Sequence, residues 1–202
     1  MPKLNYAFYQ QENVVELAVQ LLGKQLFTRV DGVVTGGTIV ETEAYNGVID
    51  KASHAYNGRF TPRTATMYEA GGISYVYLCY GIHHLFNVVT ATKGNPHAVL
   101  IRGIEPTEGL EKMLERRKMK SLASRITAGP GALAQALGID KNLNAKDLLG
   151  DEIWIEDNGF VFPSTEIVAS PRVGVDYAGD HALLPWRFFV KGNSYVSKPN
   201  KV

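Results

Sequence analysis

The chain contains a single cysteine, Cys79. A lone thiol has no internal partner, so disulfide-stapled secreted scaffolds are excluded. An excess of charge of one sign is also missing. Lys and Arg number 21 against 20 Asp and Glu, a net charge of +1. No global field therefore favours a polyanionic partner, and any affinity for nucleic acid must come from local charge. Long apolar runs are absent as well. The stretch 75–89 is interrupted by Gly81, His83, His84 and Asn87, and it falls short of the ~20 residues a membrane-spanning helix needs. The first residues, Met1-Pro2-Lys3-Leu4-Asn5-Tyr6, hold no apolar signal core. These absences lead to the expectation of a cytoplasmic protein with no membrane segment.

Several chemical signatures are missing too. There is no GxSxG elbow, no Walker A loop and no Rossmann glycine fingerprint. The five histidines, His54, His83, His84, His97 and His181, form no helical i, i+4 pair. With only Cys79 beside them they offer no zinc pattern, and neither metal nor cofactor is expected. Repeats, linkers and low-complexity tracts are not found. The 202 residues, 45% hydrophobic and 20% charged, have the composition of an ordinary globular domain. A chain of this length buries roughly 70% of its unfolded surface and is expected to form one domain, 1–202.

What is present reads mostly as strands. A helix is predicted over 13–22, where Val14, Val15, Leu17, Ala18, Leu21 and Leu22 recur at helical spacing before Gly23. Residues 37–45 are rich in β-branched types and read as a strand, while 46–72 is polar and Gly-rich and reads as a long loop. Further strands are expected at 74–78, 84–90 and 98–104. Pro106 is expected to open a helix to about residue 120, with Leu110, Met113 and Leu114 inward. Gly129-Pro130 opens a short helix ending at Gly138. Two hairpins are predicted, 153–156 with 160–162 and 186–190 with 194–196. The Gly pairs at 36–37 and 71–72 read as turns. Strands joined by short turns point to an antiparallel α+β domain.

Three features could carry chemistry. Glu41 and Glu43, two apart on a predicted strand, should share a face with Ile39 and Tyr45. They either face solvent or pair with Arg102 or Arg63, or supply a general base that activates water at a sugar carbon. Tyr68, Tyr75, Tyr77 and Tyr80 crowd one window, and Tyr80 sits beside Gly81 at a turn, where a large aromatic suits insertion between bases. The segment 108–125 carries Lys112, Arg116, Arg117, Lys118, Lys120 and Arg125 after Glu108, Glu111 and Glu115. That order complements a helix dipole and equally suits phosphate contact.

Together these residues resemble the alkyladenine (3-methyladenine) DNA glycosylase family. The matching segments are Ile39-Val40-Glu41-Thr42-Glu43-Ala44-Tyr45, Asp50 to His54, Thr61-Pro62-Arg63, and Tyr75-Val76-Tyr77 with Tyr80-Gly81. Leu100-Ile101-Arg102 with Glu105-Pro106, Gly129-Pro130 with Gln135-Ala136-Leu137-Gly138, and Pro171-Arg172-Val173-Gly174 complete the match. The resemblance implies a curved antiparallel sheet with flanking helices, and a monofunctional enzyme that excises 3-methyladenine, hypoxanthine or ethenoadenine from duplex DNA. It implies that Glu43 activates the attacking water, that Arg102 helps hold it, and that Tyr45, His54 and Tyr77 wall the flipped base. Asn87 would stand where the 2-amino group of guanine clashes, Tyr80 would be the wedge, and Val173 would line the sugar side. Arg63, Arg116, Arg117 and Lys118 are expected at the DNA backbone, and the enzyme is expected to act as a monomer. Ala128 and Ala132 depart from the family's polar pattern and should weaken phosphate contact. The alternative is a non-catalytic nucleic-acid-binding module of the same fold, which would gain nothing from Glu43. A carbohydrate glycosidase using Glu41 with Glu43 would leave the Tyr80-Gly81 tip unexplained.

Overall fold

A computed structural model describes residues 1–198. Two short helices come first, α1 (Tyr6–Tyr9) and α2 (Val14–Gln20). Asn13 caps α2 by accepting from the Glu16 amide at 3.1 Å, and Val14, Leu17 and Ala18 are its buried stripe. There follow β1 (Gln25–Val30), β2 (Val33–Tyr45), β3 (Ser74–Cys79), β4 (His83–Thr90) and β5 (His97–Glu108). Then come α3 (Leu110–Arg116), α4 (Pro130–Leu137), β6 (Ile153–Glu156), β7 (Ile167–Ser170) and β8 (Arg187–Val190). The predicted loop 46–72 holds only short 3-10 turns, Gly47–Ile49, Tyr56–Gly58 and Ala65–Tyr68. Among the described residues no helix is long and apolar enough to cross a membrane.

The strands form one curved antiparallel sheet in the order β3-β4-β5-β2-β1-β6. The expected α+β domain is therefore found. The spine is β2. Residues 33–38 pair with β1, residues 41–43 pair with β8, and nearly the whole opposite edge pairs with β5. One face of the sheet is covered by α2, α3 and α4. Leu17, Leu21, Met113, Leu133 and Leu137 pack there against Leu26, Ile39, Phe86, Ile101 and Ile104. Each such side chain contributes roughly 1.5–3 kcal/mol by leaving water. The Thr42 hydroxyl donates to the Ala18 carbonyl at 2.8 Å and ties the spine to α2.

Several expectations need correction. Gly36 and Gly37 lie inside β2 rather than in a turn. A Cβ at Gly37 would stand 2.2 Å from the Glu105 carbonyl oxygen, so the strands can approach only because both are glycine. Pro106 opens no helix. It stays in β5 opposite Gly37, at a register irregularity that tolerates a residue without an N–H, and α3 begins only at Leu110. The strand at 153–156 pairs with β1, not with 160–162, which forms no strand. Its supposed turn is an Asx turn, Gly159 amide to Asp157 at 2.8 Å, anchored by Lys24 at 2.7 Å. Likewise β8 pairs with β2 and β7, and 194–196 forms no strand. Ile39 also leaves the face assigned to it. Register shifts on both sides of Glu41 place Ile39 in the helix-side core, while Val40 packs with Phe189, Val190 and Val196.

Candidate active site

Residues directly opposite in an antiparallel ladder share a face. The registers therefore place Tyr75 (β3), Asn87 (β4), Leu100 (β5), Glu43 (β2) and Arg187 (β8) in one row across the sheet. Ala98 opposite Tyr45 lies one row away, and Arg102 lies two residues along from Leu100. This is the face the helices leave uncovered. It forms the floor of a cavity of about 610 Å³ lined by Tyr45, His54, Tyr75, Tyr77, Asn87, Arg102 and Val173, among others. The volume lies within the range of small-ligand sites.

The two carboxylates have different surroundings, although both are fully buried. Glu41 accepts from Arg102 Nε at 2.8 Å, Arg187 Nε at 2.7 Å, Ser197 Oγ at 2.8 Å and the Ser197 amide at 2.7 Å. Three of these donors converge on Oε1 and the Ser197 amide meets Oε2, so the carboxylate is gripped by two guanidinium groups and the chain at Ser197. Glu43 accepts from the Tyr45 hydroxyl at 2.9 Å and the Val173 amide at 2.8 Å, with Arg102 Nη1 3.4 Å from Oε1. Glu43 sits behind the cavity surface, touching three residues that line it. Burial lowers the Arg102 pKa, but Glu43 and Glu41 more than offset this and hold it raised. At Tyr45, burial and then the Glu43 charge push the phenol well above its ordinary 10.0. It remains a proton donor to Glu43.

The aromatic wall is held by ring contacts. His54 meets Tyr77 edge-on at 4.6 Å, and its Nδ1 lies 2.9 Å from the Tyr75 hydroxyl. Burial, then the charges of Arg63 and Arg59, hold the His54 pKa down at about 4, so the imidazole is neutral near pH 7. Asn87 donates to the Tyr75 carbonyl at 3.1 Å and is almost wholly buried. Tyr75, to which the sequence assigned no role of its own, also lines the cavity.

Sequence reasoning missed two further residues as individuals, although both lie in the quoted motifs. Arg172 and Asp50 form a buried bidentate pair at 2.5 and 2.9 Å. Arg172 also donates to the Ala44 carbonyl at 2.8 Å and lies 4.8 Å from the Tyr45 ring. This clasp fixes the chain just before Val173, whose amide reaches Glu43. No spacing rule connects residues 122 apart; only the paired occurrence of a buried acid and base could have signalled it.

The β3–β4 turn carries Tyr80 at φ +50° and 90% exposure, beside Ile82 at 72%. Tyr80 and Tyr177 both stand on the cavity rim. The first turn of α4 closes another side. Ala128 and Ala132, expected to weaken phosphate contact, line the cavity there. The basic residues are dispersed. Arg116 donates to Thr35 Oγ1 at 3.1 Å and the Ala136 carbonyl at 3.2 Å. Arg117 donates to Gln135 at 2.5 Å and the Arg125 carbonyl at 3.0 Å. Both clamp α3 to α4, while Lys118, Lys120 and Arg125 are exposed. Arg63 sits on the cavity wall, 4.9 Å from the Tyr77 ring.

Comparison with known proteins gives a consistent result. The profile of the family described as methylpurine-DNA glycosylase (MPG) matches residues 7–194. A protein of Desulfitobacterium hafniense (strain Y51) is 44% identical over 204 residues, 98% of this chain and 99% of its own. One of Clostridium acetobutylicum is 46% identical over 202 residues, covering 96% and 97%. One of Chlamydia felis is 45% identical over 197 residues, covering 97% and 98%. All three are named "Putative 3-methyladenine DNA glycosylase". With the profile spanning nearly the whole chain and relatives this similar along their full length, the chain belongs to the methylpurine-DNA glycosylase family.

Proposed function

We propose that this protein excises damaged purines of the 3-methyladenine, hypoxanthine and ethenoadenine class from duplex DNA, acting as a cytoplasmic monomer and leaving an abasic site. A duplex hides the glycosidic bond, so the damaged nucleotide is extruded at a cost of a few kcal/mol. Tyr80, exposed on its stiff turn, fills the vacated stack. The extruded base enters between Tyr45, His54 and Tyr77, whose rings offer it stacking surface. Asn87 rejects an exocyclic 2-amino group by occupying its place, and Val173 borders the sugar. Lys118 supplies a phosphate contact from the surface; Arg116 and Arg117 reach phosphate only by giving up their internal acceptors.

The observation that carries the reading is the division of labour between the carboxylates. Glu41 is spent on two guanidinium groups at 2.7–2.8 Å, whereas Glu43 accepts from Tyr45 and Val173, both of which line the cavity, and has its nearest cation, Arg102, at 3.4 Å. Glu43 takes a proton from water as the water oxygen bonds to C1′. The electron pair of the breaking C1′–N bond leaves with the purine. Arg102 orients the water, and the charge of Glu43 stabilises the oxocarbenium-like transition state. Covalent catalysis would need a lysine amine at the sugar carbon; Lys51, eight residues past Glu43, pairs instead with Asp180 at 2.7 Å. Among the described residues no lysine lines the cavity, which supports a monofunctional hydrolysis.

Glu43→Gln keeps the shape but cannot take the proton. It should abolish base release, measured by mass spectrometry on methylated DNA, while abasic-site DNA is still bound. Excision by this variant at the wild-type rate would refute the assignment.

A further inference from the structure

Arg63 was expected at the DNA backbone, yet its guanidinium carbon lies 4.9 Å from the centroid of the Tyr77 ring and its side chain lines the cavity. Tyr77 is held in turn by His54 at 4.6 Å and Tyr75 at 5.4 Å. A permanent cation thus shares an aromatic surface with the cavity. No Asp or Glu lines that cavity among the described residues. The carboxylates behind it, Glu41 and Glu43, are already faced by Arg102. His54 adds no charge, being neutral near pH 7.

We propose that Arg63 is a specificity-determining residue, whose guanidinium on Tyr77 biases the cavity toward neutral purine lesions and away from cationic alkylpurines. This rests on the function proposed above and names the substrate class that its pocket prefers. Two physical causes act together. A ring attracts cations through its quadrupole, and Arg63 already uses that attraction on Tyr77. The guanidinium charge also repels a second cation stacked on the wall. Arg63 is exposed, so solvent screens the repulsion. Its charge is nonetheless felt along the wall, where it opposes the upward push of burial at Tyr75, Tyr77 and Cys79.

The size of the bias follows from Coulomb's law. A base stacked on Tyr77 would lie ~8 Å from the guanidinium, giving about a 2-fold penalty in water and tens of fold at a protein-surface dielectric, so about 5-fold is expected. The test compares single-turnover excision of 3-methyladenine, cationic in DNA, and hypoxanthine, neutral, from duplexes of one sequence. Wild type, R63Q and R63K are measured, together with their affinity for the same duplex carrying an abasic site. R63Q should raise the 3-methyladenine to hypoxanthine ratio about 5-fold, whereas R63K keeps it near wild type. If wild type releases only one of the two bases, the ratio is taken as that rate over abasic-site affinity. It should rise in R63Q for the cationic base, and where wild type releases only the neutral base R63Q should gain release of the cationic one. An unchanged or oppositely moved ratio overturns the proposal. Equal losses on both substrates and on abasic DNA would make Arg63 a backbone contact. Release of neither base by wild type would instead overturn the function on which the proposal rests.

Discussion

Replacing Glu41 by Gln should unfold this protein more readily than it alters the chemistry. Glu41 is fully buried and accepts four hydrogen bonds, two of them from buried arginines. A glutamine has one acceptor oxygen where the carboxylate has two. Oriented toward Arg102 and Arg187, its amide nitrogen faces the Ser197 N–H, donor against donor; turned over, it faces the guanidinium groups instead. The variant also removes the anion that Glu41 supplies to both arginines. Removing one partner of a buried ion pair costs about 3–5 kcal/mol. For a chain of this size that lowers Tm by roughly 8–16 °C. Glu43→Gln should behave differently, since an amide can still accept from the Val173 N–H while the Tyr45 hydroxyl rotates to accept. Its cost is about 1–2 kcal/mol. Urea unfolding followed by Trp154 and Trp186 fluorescence measures both, with excision assayed well below each midpoint. Glu41→Gln should be unstable yet active, and Glu43→Gln stable yet inactive. A Glu41→Gln protein within ~1 kcal/mol of wild type that has lost excision would refute the reasoning and restore a two-carboxylate site.

Two further outcomes follow from the same geometry. His54 has a pKa of about 4 in the fold against an ordinary 6.5, so the unfolded chain takes up the proton first on acidification. Its contribution is complete above pH 6.5, falls as pH drops, and is exhausted near pH 4, about 3 kcal/mol in all. His54→Gln should flatten the fall in urea midpoint over that window, and an unchanged slope would place the effect elsewhere, His97 being the next group whose pKa burial lowers. Tyr80→Ala should leave Tm unchanged, since the side chain is 90% exposed, yet weaken binding to abasic duplex more than to undamaged duplex; equal weakening would make Tyr80 an ordinary surface aromatic.

The strands expected at 74–78, 84–90 and 98–104 were legible because they are rich in β-branched and aromatic residues, and α4 because Pro and Gly mark its ends. The bulges around Glu41 were not, because a bulge is set by the partner strand rather than by local propensity. Pro106 misled for the same reason. A proline beside acidic residues has the local signature of a helix start, and only the glycine pair opposite explains its place in a strand. Glu43, Tyr45 and Tyr77 could be singled out because side-chain alternation and resemblance agreed on them. The clasp of Asp50 with Arg172 and the spending of Arg116 and Arg117 on α4 are long-range pairings, which a linear pattern does not encode.

Three of the four bonds on Glu41 tie β2, an early strand in chain order, to Arg187 and Ser197, among the last described residues. The segment holding Glu43 emerges early in synthesis, but these three bonds cannot form until residues 187–197 have followed it. Loop closure over such a separation is slow to be rewarded. A change at Arg187 or Ser197, far in sequence from Glu43, would therefore be felt beside the proposed base.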